Sequence, residues 1–192
     1  SATMLGSGGG ERHTVSQRSR EKKQNRGPVA LTIRADGSAV AKWPSSAAAV
    51  SLEPSGVSHR NEQGFTLSAF FGGGSGSSGL AVMIDAGGGG SANYASTGRT
   101  ALSMSPLSGG FALDEQGAEI RRWDVNETGE GIAIPEPLAL RLGGGLGIEL
   151  TFRKSVDVCS TAPQQSTIVV DAHVFFECRG VKAVFSQTFG LS

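Results

Sequence analysis

The chain has 192 residues, no net charge by count and 29 glycines, with aromatics at only 6%. That length suits one domain with tails and can bury a core without disulfide staples. No apolar run reaches the ~20 residues of a membrane-spanning helix, and no segment at the start has the form of a signal peptide. The expectation is therefore an intracellular protein without a membrane.

Residues 1–27 read as a disordered arm, glycine-rich and then basic. Residues 11–26 hold Arg12, Arg18, Arg20, Lys22, Lys23 and Arg26 against Glu11 and Glu21, a local charge of +4. The rest of the chain then carries −4. A basic arm on a mildly acidic body bears on partners rather than on fold.

Pro28 opens the expected folded unit, a single β domain over 28–192. Val29–Arg34 alternates apolar and polar residues, Asp36-Gly37 is a turn signal, and Ser38–Trp43 alternates again. That pattern predicts a hairpin ended by Pro44. The small run Ser45–Val50 is the best helical candidate. Further strands are expected at Phe65–Phe71, Leu80–Asp85, Thr100–Met104, Phe111–Asp114 and Ala118–Trp123. Pro137–Leu142, Ile148–Arg153, Ile168–Cys178 and Val181–Phe185 complete the series. Gly, Pro, Asn or Ser punctuate nearly every gap. The fold class is thus all-β: an antiparallel meander of short strands forming a sandwich or open barrel.

Three segments share one pattern, a turn glycine, a strand and a large apolar residue six positions on. They run from Gly37 to Trp43, Gly98 to Met104 and Gly117 to Trp123. Such units cannot bury an apolar face singly, so stacked copies would build one extended sheet. Gly37, Gly98 and Gly117 are expected turn glycines. Trp43 and Trp123 are expected packing anchors, or interface residues if exposed.

The chemical motifs are weak. Gly74–Gly79 matches GxGxxG, but the dinucleotide fingerprint needs a helix after it, and here strand-like residues follow. Gly87–Gly90 lacks the Lys-Ser or Lys-Thr of a phosphate loop. Cys159 and Cys178 have no second Cys or His at zinc spacing and read as two reduced thiols, with a disulfide as the alternative. Asp171 and His173 share a strand face and could orient a general base, yet no nucleophile turn accompanies them. The plainer reading is a solvent-facing strand. Adjacent Asp114 and Glu115 point to opposite faces and fit a turn. Asp85 fits an Asx turn, or more weakly a calcium ligand. Arg121 and Arg122 before Trp123, and Lys42 before Trp43, could serve nucleic-acid stacking, but the body lacks the basic excess that nucleic acid demands. No catalytic, cofactor or metal residue is assigned.

One stretch is more specific. Tyr94, Gly98, Gly110, Leu113, Asp114, Gly117 and Trp123 occupy the places of a Tyr, turn Gly, Gly, Leu-Asp, turn Gly and Trp pattern. In this the chain resembles the C-terminal domain of the glutamate-rich protein six family. The likeness extends in outline over residues 29–186, with its specific part in the central thirty. It departs from the family after the Trp, where an aromatic is usual and Val125 stands. The resemblance implies a non-enzymatic protein associated with motile cilia, flagella and sperm. It implies an axonemal component that bridges or decorates larger proteins, with axonemal proteins and tubulin as candidate partners. Tyr94 joins the two Trp as a packing or interface residue. The alternatives are a ligand- or carbohydrate-binding β-sandwich, its glycine loops gathered at one end, and RNA binding through Arg18, Arg20, Lys22, Lys23 and Arg26 of the arm.

Overall fold

The computed structural model describes residues 2–5, 30–57, 63–72, 79–124, 134–156 and 166–191. Among them there is no helix, and every strand pairing is antiparallel. The strands are β1 (Ala2–Leu5), β2 (Ala30–Ile33), β3 (Ala39–Lys42), β4 (Ala48–Val57), β5 (Gln63–Phe70), β6 (Leu80–Ile84) and β7 (Gly90–Asn93). They continue as β8 (Thr100–Ser105), β9 (Gly109–Leu113), β10 (Glu119–Trp123), β11 (Leu138–Gly143), β12 (Leu146–Val156), β13 (Ser166–Cys178) and β14 (Val181–Leu191). Strands β2 to β10 form a nine-stranded meander in sequence order, and the second sheet has the order β1-β14-β13-β12-β11.

The composition follows from the register of the large sheet. One inward row crosses every strand from β2 to β9 as Leu31, Ala41, Val50, Ala69, Val82, Ala92, Leu102 and Ala112, and it ends on Arg121 of β10. Large and small side chains alternate without exception before the arginine. Neighbouring strands lie only ~4.8 Å apart, so a small residue beside each large one leaves room for the facing sheet to interdigitate. The next inward row reads Ile33, Ala39, Leu52, Leu67, Ile84, Gly90, Met104, Gly110 and Trp123. Its two glycines receive the Met104 methyl and the Trp123 ring, which a Cβ at either position would meet. Much of the alanine and part of the glycine are therefore core residues.

The two sheets pack face to face over one core. Trp43 meets Phe176 edge-on with ring centroids 4.9 Å apart, and Trp123 meets Phe152 at 5.4 Å. Gln187 of β14 donates from Nε2 to the carbonyls of Phe65 and Asp85, both at 2.8 Å. The Ala95 N–H donates to the Leu142 carbonyl. Of the two expected forms the chain takes the sandwich, because both sheets remain open.

Four hairpin loops repeat one device. At Arg34, Trp43, Asp85 and Asp114 the residue's N–H bonds the carbonyl four positions on, and its carbonyl accepts from the third residue. That third residue is Gly37, Ser46, Gly88 or Gly117, each with positive φ. This is the three-residue loop with a left-handed closing position. Gly98 closes a loop one residue longer, at φ +67°. The three sequence units thus open β3, β8 and β10 of one sheet. Because turns alternate ends in a meander, β3 runs opposite to the other two.

Three expectations are corrected. Ser45–Val50 is not helical: residues 44–47 turn and β4 begins at Ala48, since pairing with β3 buries Ala49 and Val50 and overrides alanine's helix propensity. Strand β7 lies in the tail of the Gly87–Gly90 run, where Gly90 is required beneath Met104. Within the stretch read as an unstructured arm, Ala2–Leu5 forms β1, an edge strand held by backbone pairing to β14. The basic residues Arg18, Arg20, Lys22, Lys23 and Arg26 lie outside the described residues.

Candidate interaction surfaces

The residues singled out for packing are packed. Trp43, Tyr94 and Trp123 are 7%, 4% and 6% exposed. The Trp43 indole N–H donates to the Phe70 carbonyl at 3.0 Å, and the Tyr94 hydroxyl donates to the Leu113 carbonyl at 2.8 Å. Burial raises the Tyr94 phenol above its usual value, helped by the nearby Asp114 and Glu115 carboxylates. The motif that carries the family resemblance is one folding unit. Tyr94 reaches the strand that ends at Leu113, Asp114 and Gly117 shape the next turn, and Trp123 covers Gly110. Tyr94, Gly110 and Trp123 face inward and Gly98, Asp114 and Gly117 fix turns, while Leu113, next to the inward Ala112, lies on the outer face.

The loop aspartates act on the backbone. Asp85 Oδ1 accepts from the N–H groups of Gly87 and Gly89 at 2.8 and 2.9 Å. Asp114 Oδ1 accepts from Gln116 and Ala118, and Asp36 Oδ1 from Ser38. The hydrogen bonds from Ser38 hold the Asp36 carboxyl below the usual aspartate range. Asp85 is thus an Asx-turn residue, and among the described residues no group of three acidic, His or Cys side chains is placed to hold a metal. Gly79 leads into strand β6, so the GxGxxG match has no helix after it; the match otherwise lies outside the described residues. The glycine-rich loops do not gather at one end. Gly72 and the turn at 143–145 lie at the Trp43 end, and the loop at 87–90 lies at the other, beside Phe189.

The outer side of the five-stranded sheet faces solvent. Along β12, β13 and β14 alternate residues turn inward: Ile148, Leu150 and Phe152; Val170, Val174 and Phe176; Ala183, Phe185 and Phe189. The others turn out and align in rows across the strands. One row pairs Glu149, His173 and Ser186, with His173 Nδ1 2.7 Å from Ser186 Oγ. The adjacent row holds Thr151, Asp171 and Thr188. Thr188 donates to Asp171 at 2.6 Å, and Arg153 donates to it at 3.0 Å. Burial alone would raise the Asp171 carboxyl, but these two donors outweigh it and hold the carboxyl below its usual value. Asp171 and His173 do share a face, as alternation requires. Asp171 is engaged by Arg153 and Thr188, and the histidine is turned to Ser186.

Beyond the polar rows the character changes. The next row reads Arg141, Gly147, Phe175 and Val184. Gly147 has no side chain, so the sheet surface sinks there into a groove of about 600 Å³. Phe175 forms one wall and is 37% exposed, Ala139 and Val184 add apolar surface, and Arg141 stands on the rim. Glu177 and Lys182 close the adjacent end as a 3.4 Å ion pair. Arg141 makes no ion pair among the described residues. The groove therefore offers an apolar floor with one uncommitted cation. No sequence signal marked it, because it depends on Gly147 falling opposite Phe175 in register.

No family model, no curated protein and no solved structure matches this chain. Among the described residues no helix is long and apolar enough to cross a membrane. Cys178 is a half-buried free thiol at the end of β13; Cys159, His13 and His59 lie outside the described residues.

Proposed function

We propose that this protein is a non-enzymatic interaction module that holds partner proteins, and that its setting is the motile-cilium axoneme. The observation that carries the first part is the groove over Gly147. An exposed aromatic beside a side-chain-free floor, with Arg141 at its rim and in no ion pair among the described residues, suits an apolar side chain flanked by a carboxylate on a partner protein. The ciliary setting rests on the resemblance of the Tyr94–Trp123 segment to the glutamate-rich protein six family. In that setting the domain bridges or decorates larger axonemal proteins. The packing role of Tyr94, Gly110 and Trp123 and the turn role of Gly98, Asp114 and Gly117 are consistent with this, since they preserve a scaffold on which an outer face recruits.

The test is affinity purification of the tagged protein from ciliated cells, with mass spectrometry after high-salt washing. Axonemal proteins are expected to survive the wash. Recovery of only RNA-binding proteins that are lost with salt would contradict the proposal and move the basic segment 11–26 to the centre.

A further inference from the structure

Among the described residues the sandwich ends laterally on four edge strands, and two of them, β10 and β11, are guarded by more than brevity. β10 has a register shift between Glu119 and Arg121. It also carries Arg121 at the inward end of the large–small row, where Nη1 donates to the Glu136 carbonyl at 2.6 Å. β11 has a shift between Arg141 and Gly143 and is preceded by Pro135 and Pro137. β1 spans only four residues of a sheet whose next strand spans eleven. Bulges, inward charges, prolines and short length are the devices that stop an edge from accepting another strand.

β2 shares the brevity of β1 and has Pro28 two residues before it, but it has neither a register shift nor an inward charge. Its residues Ala30, Leu31, Thr32 and Ile33 are uncharged and pair with β3 without a register shift. The Arg34 N–H bonds Ser38 across the hairpin. Backbone groups alternate sides in an antiparallel ladder, so Thr32 and Ala30 face β3 while Leu31 and Ile33 turn their N–H and C=O groups outward. Ile33, which lies on the inner face opposite Ala39, is 57% exposed. The apolar row therefore runs past the facing sheet and stops in solvent.

We infer that the β2 edge accepts an extended strand of a partner protein, one with small residues toward the inner face and acidic residues toward the outer face. This inference deepens the reading of the chain as an interaction module and rests on it. The small residues follow from the row. Every large inward residue at this flank has a small neighbour, Leu31 beside Ala41 and Ile33 beside Ala39, so an incoming strand meets Leu31 and Ile33 best with Ala, Gly or Ser. The acidic residues follow from the outer face. Lys42 stands opposite Ala30 and Arg34 extends the outer row of Thr32; both are exposed, and neither makes an ion pair among the described residues. A second copy of this chain departs from the large–small pairing of this flank. Antiparallel self-pairing that keeps both inner faces together sets Leu31 against Leu31 or Ile33, large against large. In the second of these registers Arg34 falls opposite Ala30, with Lys42 on the next strand beyond it, like charge toward like.

The test uses the full chain and a capped synthetic peptide of about ten residues, alanine at alternate positions with Glu and Thr between. Amide exchange by NMR is expected to slow at Leu31 and Ile33 on titration. Peptides with Leu for Ala, or Lys for Glu, are expected to bind at least about ten-fold more weakly. Ile33→Pro removes an outward N–H without touching the β2–β3 ladder, and Ile33→Lys adds an edge charge. Both are expected to abolish binding with tryptophan fluorescence unchanged. Absence of protection, equal binding of the Leu peptide, equal binding to Ile33→Lys, or protection by self-association without peptide would overturn the inference. The two readings fail separately. If axonemal partners are captured as well by the Ile33 variants as by the wild type, the edge inference falls and the module stands. If the peptide binds but no partner is ever captured, the functional proposal falls and the edge stands.

Discussion

Trp123→Ala lowers the free energy of unfolding by about 3–5 kcal/mol. Urea denaturation followed by far-UV circular dichroism measures it. The indole is 6% exposed, contacts Phe152 of the opposite sheet edge-on, and covers Gly110 of the neighbouring strand. Truncation opens a void at the last strand of the large sheet, where only the small sheet can close over it. The glycine beneath, kept free of a side chain for the ring, cannot fill the space either. Trp123→Phe keeps an aromatic against Phe152 and costs less. A loss below about 1 kcal/mol for the alanine variant would mean that the sheets do not meet at this corner.

The second large effect is at Gly145. Its φ is +81°, and a Cβ there would run into the Glu177 carbonyl of the adjacent strand. The Gly145 carbonyl meanwhile accepts the Glu177 N–H at 2.8 Å, so the backbones cannot separate without losing that bond. Gly145→Ala combines left-handed strain of about 1–2 kcal/mol with overpacking of about 1–3 kcal/mol. Gly180 provides the comparison: its φ is +78°, but nothing lies within 4 Å of its Cβ position. Gly180→Ala is expected to cost only the strain. Melting temperatures of the two variants, measured together, decide the matter. Equal losses would show that the close approach at Glu177 contributes nothing.

The all-β class was legible because strand alternation and turn chemistry agree along most of the chain. Asp36-Gly37 and Asp114–Gly117 announce hairpins, and the positive φ at Gly37, Gly98 and Gly117 is what those turns require. Alanine and glycine misled where they serve the core. Ala48–Val50 has the composition of a helix, but its place was decided by β3 and β5 on either side. Gly90 has the look of loop residue, but it is the small member of an inward row. Row membership depends on pairings between residues far apart in sequence, and no local window contains it. The groove was illegible for the same reason. Gly147, Phe175 and Val184 are unremarkable separately and meet only through two strand registers. The outward pair Asp171 and His173 lies on one strand, so period-two alternation was enough to place it. Its engagement by Arg153, Thr188 and Ser186 was not foreseeable from that strand alone.

Whether the outer groove holds a partner is measured most directly by cosedimentation of the purified chain with demembranated axonemes, wild type against Phe175→Ser. Phe175 is exposed and outside the core, so the variant folds. A partner seated in the groove gives saturable binding by the wild type that survives high salt, and a loss of at least about ten-fold in the variant. Equal binding by both, falling steeply with salt, would contradict it and assign the contact to the basic segment instead.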